Sequence, residues 1–257
     1  MRIMNLIFLG LMLLPLALSA QNNQKGKIIY QQERTIEFDE SRYEQMSEEQ
    51  RNKMKERMKK WGKEKKTLVF NKEASVYRNF KAEKDAKDPA TWESESGGGR
   101  GHWRRMKSQS IIYLSHTDQT VVEQQEAFDK KFLIEAPVEE KKWKITGKQE
   151  MLSGHRCMHA VWQKNDSTTV EAWFAPQIPV SSGPNGYGGL PGMVLKVDVN
   201  QGEFVMVAKE VRLEEVDETI VKPDKGKKVS REEFEKIMKE KREEMREMRG
   251  GSRGHGH

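Results

Sequence analysis

The chain has 257 residues, of which 35% are hydrophobic and 33% are charged. This apolar content is lean for a globular protein, so we expect one modest core with solvated segments outside it. The net charge of +6 is spread along the sequence, which excludes the dense basic patch of a typical nucleic-acid-binding protein. The single cysteine, Cys157, excludes a disulfide framework.

The N-terminus predicts a secretory signal peptide over 1–20. Arg2 is followed by an apolar run over 3–18 and then by small residues that end at Ala20. Cleavage is expected after Ala20 or one residue earlier, and because Gln21 rather than a cysteine follows, no lipid anchor is predicted. No later apolar run approaches the roughly 18 residues that span a bilayer. The sequence therefore predicts a periplasmic or secreted protein with no transmembrane segment after signal cleavage.

The region after the signal peptide predicts one strand and one helix. Apolar and polar residues alternate over 27–38, which is the period of a half-buried strand. Ser47 and Gln50 form a capping box, and Met54 begins a series of apolar residues at helical spacing. We expect a helix at about 43–62 that packs on the sheet.

Beyond this helix the sequence predicts short strands interrupted by one flexible insertion. The insertion, at about 81–107, combines charged residues with a Gly-rich run and is expected to be largely unstructured. No crossover helices separate the strands, which favours an antiparallel meander. The strands are expected at 67–70, 75–80, 110–115, 120–126, 131–135, 143–149, 157–164, 167–174, 193–200 and 203–214.

The predicted fold class is mainly β. We expect an antiparallel meander that forms a curved sheet, half-barrel or barrel, with one packed helix closing its concave side and a C-terminal helix. The β domain is expected over 21–221. Residues 222–257 are expected to hold a charged helix, opened by a capping box of Ser230 and Glu233, and a disordered Gly/His tail.

A loop rich in Pro and Gly lies between the strands that end near Phe174 and begin at Met193. Its segment Gly188-Gly189-Leu190-Pro191-Gly192-Met193 resembles the signature of the GLPGLI family of Bacteroidetes secreted proteins. Further similarity lies upstream at 68–71, 76–77, 143–145 and 157–160. The resemblance implies a β-rich protein with a signal peptide. The family has no established biochemical role.

This loop has two interpretations. Its glycines permit backbone angles that are closed to other residues and its prolines fix theirs, so the loop is expected to hold one shape. It is either a corner that joins two strands with Leu190 tucked under the sheet, or a lip of a binding site. In the second case the concavity holds an apolar small molecule or an unfolded or membrane-protein client, and an outer-membrane or other envelope component is a candidate partner. The candidate ligand-binding residues are Trp143, Trp173, Phe174, Tyr187 and Leu190.

His155, Cys157 and His159 alternate along one predicted strand and are expected on one face of it. Imidazole and thiolate are ligands for zinc and copper. The alternative function is therefore metal handling (Zn or Cu) by these three residues, assisted by Met- and His-rich tails. Against it, a lone cysteine is most often a small buried apolar residue. A competing apolar face of the same strand is formed by Met158, Ala160 and Trp162.

The signatures of common enzymes are missing from the sequence. It contains no G-x-S-x-G and no H-E-x-x-H, and the run from Gly186 lacks the third glycine of a dinucleotide fingerprint. We therefore expect a non-catalytic protein that needs no cofactor. Binding of an apolar ligand or client is the leading hypothesis, and metal handling is the alternative.

Overall fold

A computed structural model describes residues 24–36, 38–80, 110–214 and 218–251. The predicted signal peptide, the insertion at 81–107 and the tail from 252 onward lie outside the described residues. Within the described part, no helix combines the length and the apolar character needed to cross a membrane.

The described residues form twelve strands and two α-helices. The helices are α1 (Glu48–Trp61) and α2 (Arg231–Gly251). The strands are β1 (Gly26–Arg34), β2 (Lys63–Phe70), β3 (Ala74–Asn79), β4 (Ser110–Ser115), β5 (Thr120–Ala127), β6 (Lys130–Pro137), β7 (Lys144–Leu152), β8 (His155–Asn165), β9 (Thr168–Ala175), β10 (Met193–Val199), β11 (Phe204–Leu213) and β12 (Lys227–Val229).

All twelve strands belong to one sheet in the order β12-β6-β5-β4-β3-β2-β1-β11-β10-β9-β8-β7. Strand β12 pairs in parallel with β6, and every other pairing is antiparallel. The predicted mainly β fold is confirmed. The parallel strand makes the sheet mixed, and the sheet is open, with β12 and β7 as its two edges in the described part of the chain.

The sheet curves around the loop that joins β9 to β10. Strands β3 and β10 are separated by β2, β1 and β11, which is about 19 Å in a flat sheet. Yet the hydroxyl of Ser182, in the loop, lies 2.7 Å from the hydroxyl of Ser75 in β3. The carbonyl of Ser182 also accepts a 2.9 Å hydrogen bond from the backbone of Val194 in β10. One residue can bond to both strands only because the sheet bends around it.

The apolar residues of the described part form two large buried clusters and a small third one. The first cluster joins β1, β2 and β3 to β10 and β11, and it contains Tyr30. Burial raises the pKa of Tyr30 well above its ordinary value, and its hydroxyl donates a 2.6 Å hydrogen bond to the carbonyl of Val194. The second cluster joins β8 to β11 and includes Leu190 from the loop.

The sequence predicts that helix α1 closes the concave side of the sheet. The structure does not place the helix there. Its capping box forms, since Ser47 and Gln50 exchange hydrogen bonds of 3.1 and 3.3 Å. However, Met54 and Met58 remain half-buried and most other described side chains of the helix are exposed. The helix carries so many charged residues that its apolar stripe is too narrow to displace water from the sheet.

The C-terminal helix α2 is the one that packs on the sheet. Its capping box joins Ser230 and Glu233 through bonds of 2.9 and 3.0 Å. Phe234 lies edge-on to Phe132 of β6, with ring centroids 5.3 Å apart. These rings belong to the third cluster, which includes Val229 of β12. Among the described side chains of α2, Phe234 is buried and Ile237 and Met238 pack against the same cluster, so the first turns of the helix dock on the sheet.

Candidate functional site: a groove beside the β9–β10 loop

Residues 176–192, which join β9 to β10, are called the plug loop here because they fill the curve of the sheet. Ile178 is fully buried and its carbonyl accepts a 3.0 Å hydrogen bond from the backbone of Met193. The hydroxyl of Ser181 accepts a 3.1 Å bond from the backbone of Gly189. The indole of Trp143 donates a 3.0 Å bond to the carbonyl of Gly188. The plug loop is therefore tied to the sheet and to the segment before β7.

A groove of about 1060 Å³ runs along one side of the plug loop. Its opposite wall comes from β4, β5 and β6, and its ends come from the segment 138–141 and the start of α2. The apolar part of the lining consists of Ile112, Leu114, Val121, Ala136, Pro137, Val138, Trp162, Pro179 and Val180. The charged part consists of Lys72, Glu123, Glu139, Lys141, Lys164, Arg231 and Glu235. The groove is thus amphipathic, with charges of both signs.

Two buried polar atoms in the groove wall have no hydrogen-bond partner among the described residues. They are the Nε2 atom of His116 and the Oε1 atom of Gln24. Both residues line the groove. Burial lowers the pKa of His116 below its ordinary value, which favours the neutral ring. Such atoms are normally satisfied by an ordered water or by a ligand.

The five predicted ligand-binding residues are divided between the groove and the core. Tyr187 lines the groove, and Trp143 supports its wall by packing at 5.7 Å on the ring of Trp162. Leu190 and Phe174 are buried in the second cluster, at 2% and 0% exposure. Trp173 packs against the first cluster instead, because neighbouring residues of a strand project to opposite faces. The structure therefore brings only Tyr187 and Trp143 to the groove region.

The predicted metal ligands do not converge on a common point. His159 is buried, and its two ring nitrogens lie 2.8 Å from the hydroxyl of Thr146 and 2.9 Å from the carboxylate of Glu171. The Nδ1 atom of His155 is 2.9 Å from the carbonyl of Ser153. Cys157 is fully buried in the first cluster. In the part of the chain that the structure describes, no group of three His, Cys, Asp or Glu side chains could hold a metal ion. The geometry does not favour the metal-handling alternative.

The Cys157 thiol should react slowly in the folded protein. Burial is the main cause that raises its pKa to about 11, and the Glu150 carboxylate adds to it. Thiolate is therefore scarce near pH 8 and the sulfur is shielded, so we expect alkylation by iodoacetamide at least about a hundredfold slower than in guanidinium chloride. Intact mass measured over time gives both rates. Equal rates would show that Cys157 is accessible.

Sequence reasoning missed most of the groove. Its walls come from segments far apart in the chain, and no local motif marks Ile112, Val121 or Lys141 as neighbours. The only local signal was the spacing of Trp162 and Lys164, which places a ring and a charge on the same side of β8.

Comparison with known proteins gives a family of unknown function and a recurring fold. A family model described as "Protein of unknown function (Porph_ging)" matches residues 101–196, which include the plug loop. No curated protein matches the chain in sequence. Two solved structures, titled "Structure of PNGF-II in P21 space group" and "Structure of PNGF-II in C2 space group", are similar with TM-scores of 0.54 and 0.53.

Both PNGF-II structures share 14% identity with this chain and cover 83% of it. The chain spans about a third of their length, 33% and 32% respectively. At this identity the likeness concerns the fold alone. The β-rich architecture of this chain therefore recurs as part of a longer protein.

Proposed function

We propose that the chain is a non-catalytic protein of GLPGLI type that acts in the periplasm or outside the cell and binds an apolar stretch of a client polypeptide in the groove. The observation that carries this proposal is the groove itself, with its apolar wall and its charges of both signs beside the plug loop. The predicted N-terminal signal peptide supports the proposed location.

The lining favours a polypeptide over a purely apolar molecule. A lipid tail or small apolar ligand is usually enclosed on most sides by hydrophobic residues. This groove is only partly enclosed and places Glu139, Glu235 and three lysines beside its apolar wall. An extended peptide offers apolar side chains, backbone amides and charges together, so it matches that mixed surface.

The plug loop supplies a wall that is already ordered. Its backbone is fixed by prolines, by the hydrogen bonds of Ser181 and Ser182, and by the indole of Trp143. A rigid wall loses little conformational entropy when a ligand binds, which favours affinity. No chemistry is required of the site for this role.

Binding is tested with a fluorescein-labelled dodecapeptide of Leu, Val, Ser and Asp. We expect saturable anisotropy with the wild type, and about tenfold weaker binding for Tyr187→Ala because an aromatic contact in the groove is lost. The matched control is Tyr113→Ala. Tyr113 is also half-buried, but it lies in β4 between two groove residues and is not part of the lining.

The melting temperature of each variant, followed by circular dichroism, separates a loss of binding from a loss of fold. Equal weakening in both variants would contradict groove binding. If the peptide does not bind and a fluorescent fatty acid does, the client hypothesis fails in favour of an apolar small molecule.

A further inference from the structure

Two lysines that line the groove lie near each other, and one of them lies over an aromatic ring. Lys141 lies just before β7 and Lys164 lies two residues after Trp162 in β8, and all three residues line the groove. The ammonium of Lys141 is 5.9 Å from the centre of the Trp162 ring, which is itself only 7% exposed. Trp143 packs behind that ring. This part of the groove is therefore a fixed aromatic wall with two cations beside it.

Neither Lys141 nor Lys164 forms a close ion pair with a described carboxylate, although the charge of Glu139 acts on Lys141. Burial lowers the pKa of Lys141; the Glu139 carboxylate partly opposes this effect, and the positive charge of Lys164 adds to it. The polar contact of the Lys141 ammonium is a 3.4 Å bond to the backbone carbonyl of Glu139 rather than to a carboxylate. By contrast, Arg231, which also lines the groove, lies 2.5 Å from the Glu123 carboxylate.

Other described cations have a carboxylate partner. Lys27 and Arg78 share the Glu218 carboxylate, and Lys222 lies 2.7 Å from the carboxylate of Glu135. The half-buried Lys141 ammonium differs from these three because its hydrogen bond goes to a backbone carbonyl. Desolvation and the charge of Lys164 destabilise the charged form of Lys141, the Glu139 carboxylate opposes them only in part, and a bound anion would stabilise that form further.

We infer that Lys141 and Lys164 form a seat for an anionic group of the groove's ligand, either a carboxylate or a phosphate. In a client polypeptide the group is an acidic side chain next to the apolar stretch. Lysine binds such groups as a point charge, and the Trp162 ring excludes water from one side of the seat. This inference rests on the proposed function and adds the class of client: apolar segments that carry an acidic residue.

The test uses two labelled dodecapeptides that differ only in an Asp or an Asn beside a Leu/Val stretch. Wild-type protein should bind the Asp peptide about tenfold more tightly than the Asn peptide. This advantage should disappear in the double variant Lys141→Gln/Lys164→Gln. It should also shrink as salt is raised, because the seat is partly open to water.

The matched control is Lys144→Gln/Lys148→Gln. It removes the same two charges from exposed positions of β7 that do not line the groove, so the net charge of the two double variants is equal. The control should keep the preference for Asp. If it loses the preference as well, the effect is one of overall charge and the seat is ruled out.

Inorganic phosphate provides a second binding test that does not depend on peptide binding. Phosphate added to the wild type should shift the NMR signals of the Lys141 and Lys164 side chains. The double variant Lys141→Gln/Lys164→Gln should no longer bind phosphate. If phosphate binds there and neither peptide does, the anion seat stands and the client function fails. If both peptides bind equally well, the client function stands and the seat for an acidic client residue is refuted, whether or not phosphate binds. Binding of neither phosphate nor peptide refutes both.

Discussion

Gly183→Ala is expected to lower the free energy of unfolding by about 3 kcal/mol, because overpacking against backbone is among the more costly single changes. A β-carbon at Gly183 would lie 2.1 Å from the carbonyl oxygen of Tyr187 and 2.7 Å from the β-carbon of Val194. One neighbour is backbone of the same loop and the other belongs to β10, so neither can move without shifting the plug loop. Urea denaturation followed by tryptophan fluorescence measures the loss.

Gly186→Ala is the matched control in the same loop. Its φ of +77° is a left-handed angle that costs an alanine about 1 kcal/mol, but no atom lies within 4 Å of the added carbon. The two variants thus separate crowding from backbone strain. Equal losses would mean that the plug loop is not seated against β10 as the structure places it.

The plug loop is bonded across the curve of the sheet and also forms one wall of the groove. Ser182 is bonded to Ser75 in β3 and to Val194 in β10, two strands that a flat sheet would hold far apart. The loop therefore acts as an internal brace. The plug loop fills only part of the concave side of the sheet. The groove is the space that remains between this loop and strands β4, β5 and β6.

Local patterns in the sequence predicted the elements of the fold well. Period-two alternation located β1, and the capping boxes at Ser47 and Ser230 marked the starts of both helices. These features depend on residues close together in the chain. The parallel pairing of β12 with β6 depends on contacts between segments about 95 residues apart, and no local pattern carries that information.

The candidate site was harder to predict than the fold. Strand β8 buries residues on both of its faces, with Cys157 in the first cluster and Ala160 and Trp162 in the second. Its alternation therefore could not show which face was open to a ligand. For the same reason the sequence offers both Trp173 and Phe174, adjacent in β9, as ligand-binding candidates although they project in opposite directions.

Leu190→Ala tests whether the Leu in the GLPG segment is a structural anchor or a ligand contact. Leu190 is 2% exposed and packs in the second cluster with Phe174 and Val194. Removing its side chain leaves a cavity under the plug loop, so we expect the free energy of unfolding to fall by about 3 kcal/mol. Peptide affinity should fall as well, because Gly188 and Gly189, which line the groove, directly precede this residue. Urea denaturation and peptide anisotropy are measured on the same preparation.

The control is Met151→Ala on the edge strand β7. Met151 is 64% exposed, so losing its side chain should change stability by no more than about 0.5 kcal/mol and leave peptide affinity unchanged. The two readouts distinguish the two roles of Leu190. A large loss of stability identifies an anchor that holds the groove wall in place from behind. Unchanged stability with weaker peptide binding would instead identify Leu190 as a ligand contact, and the buried position would then be wrong.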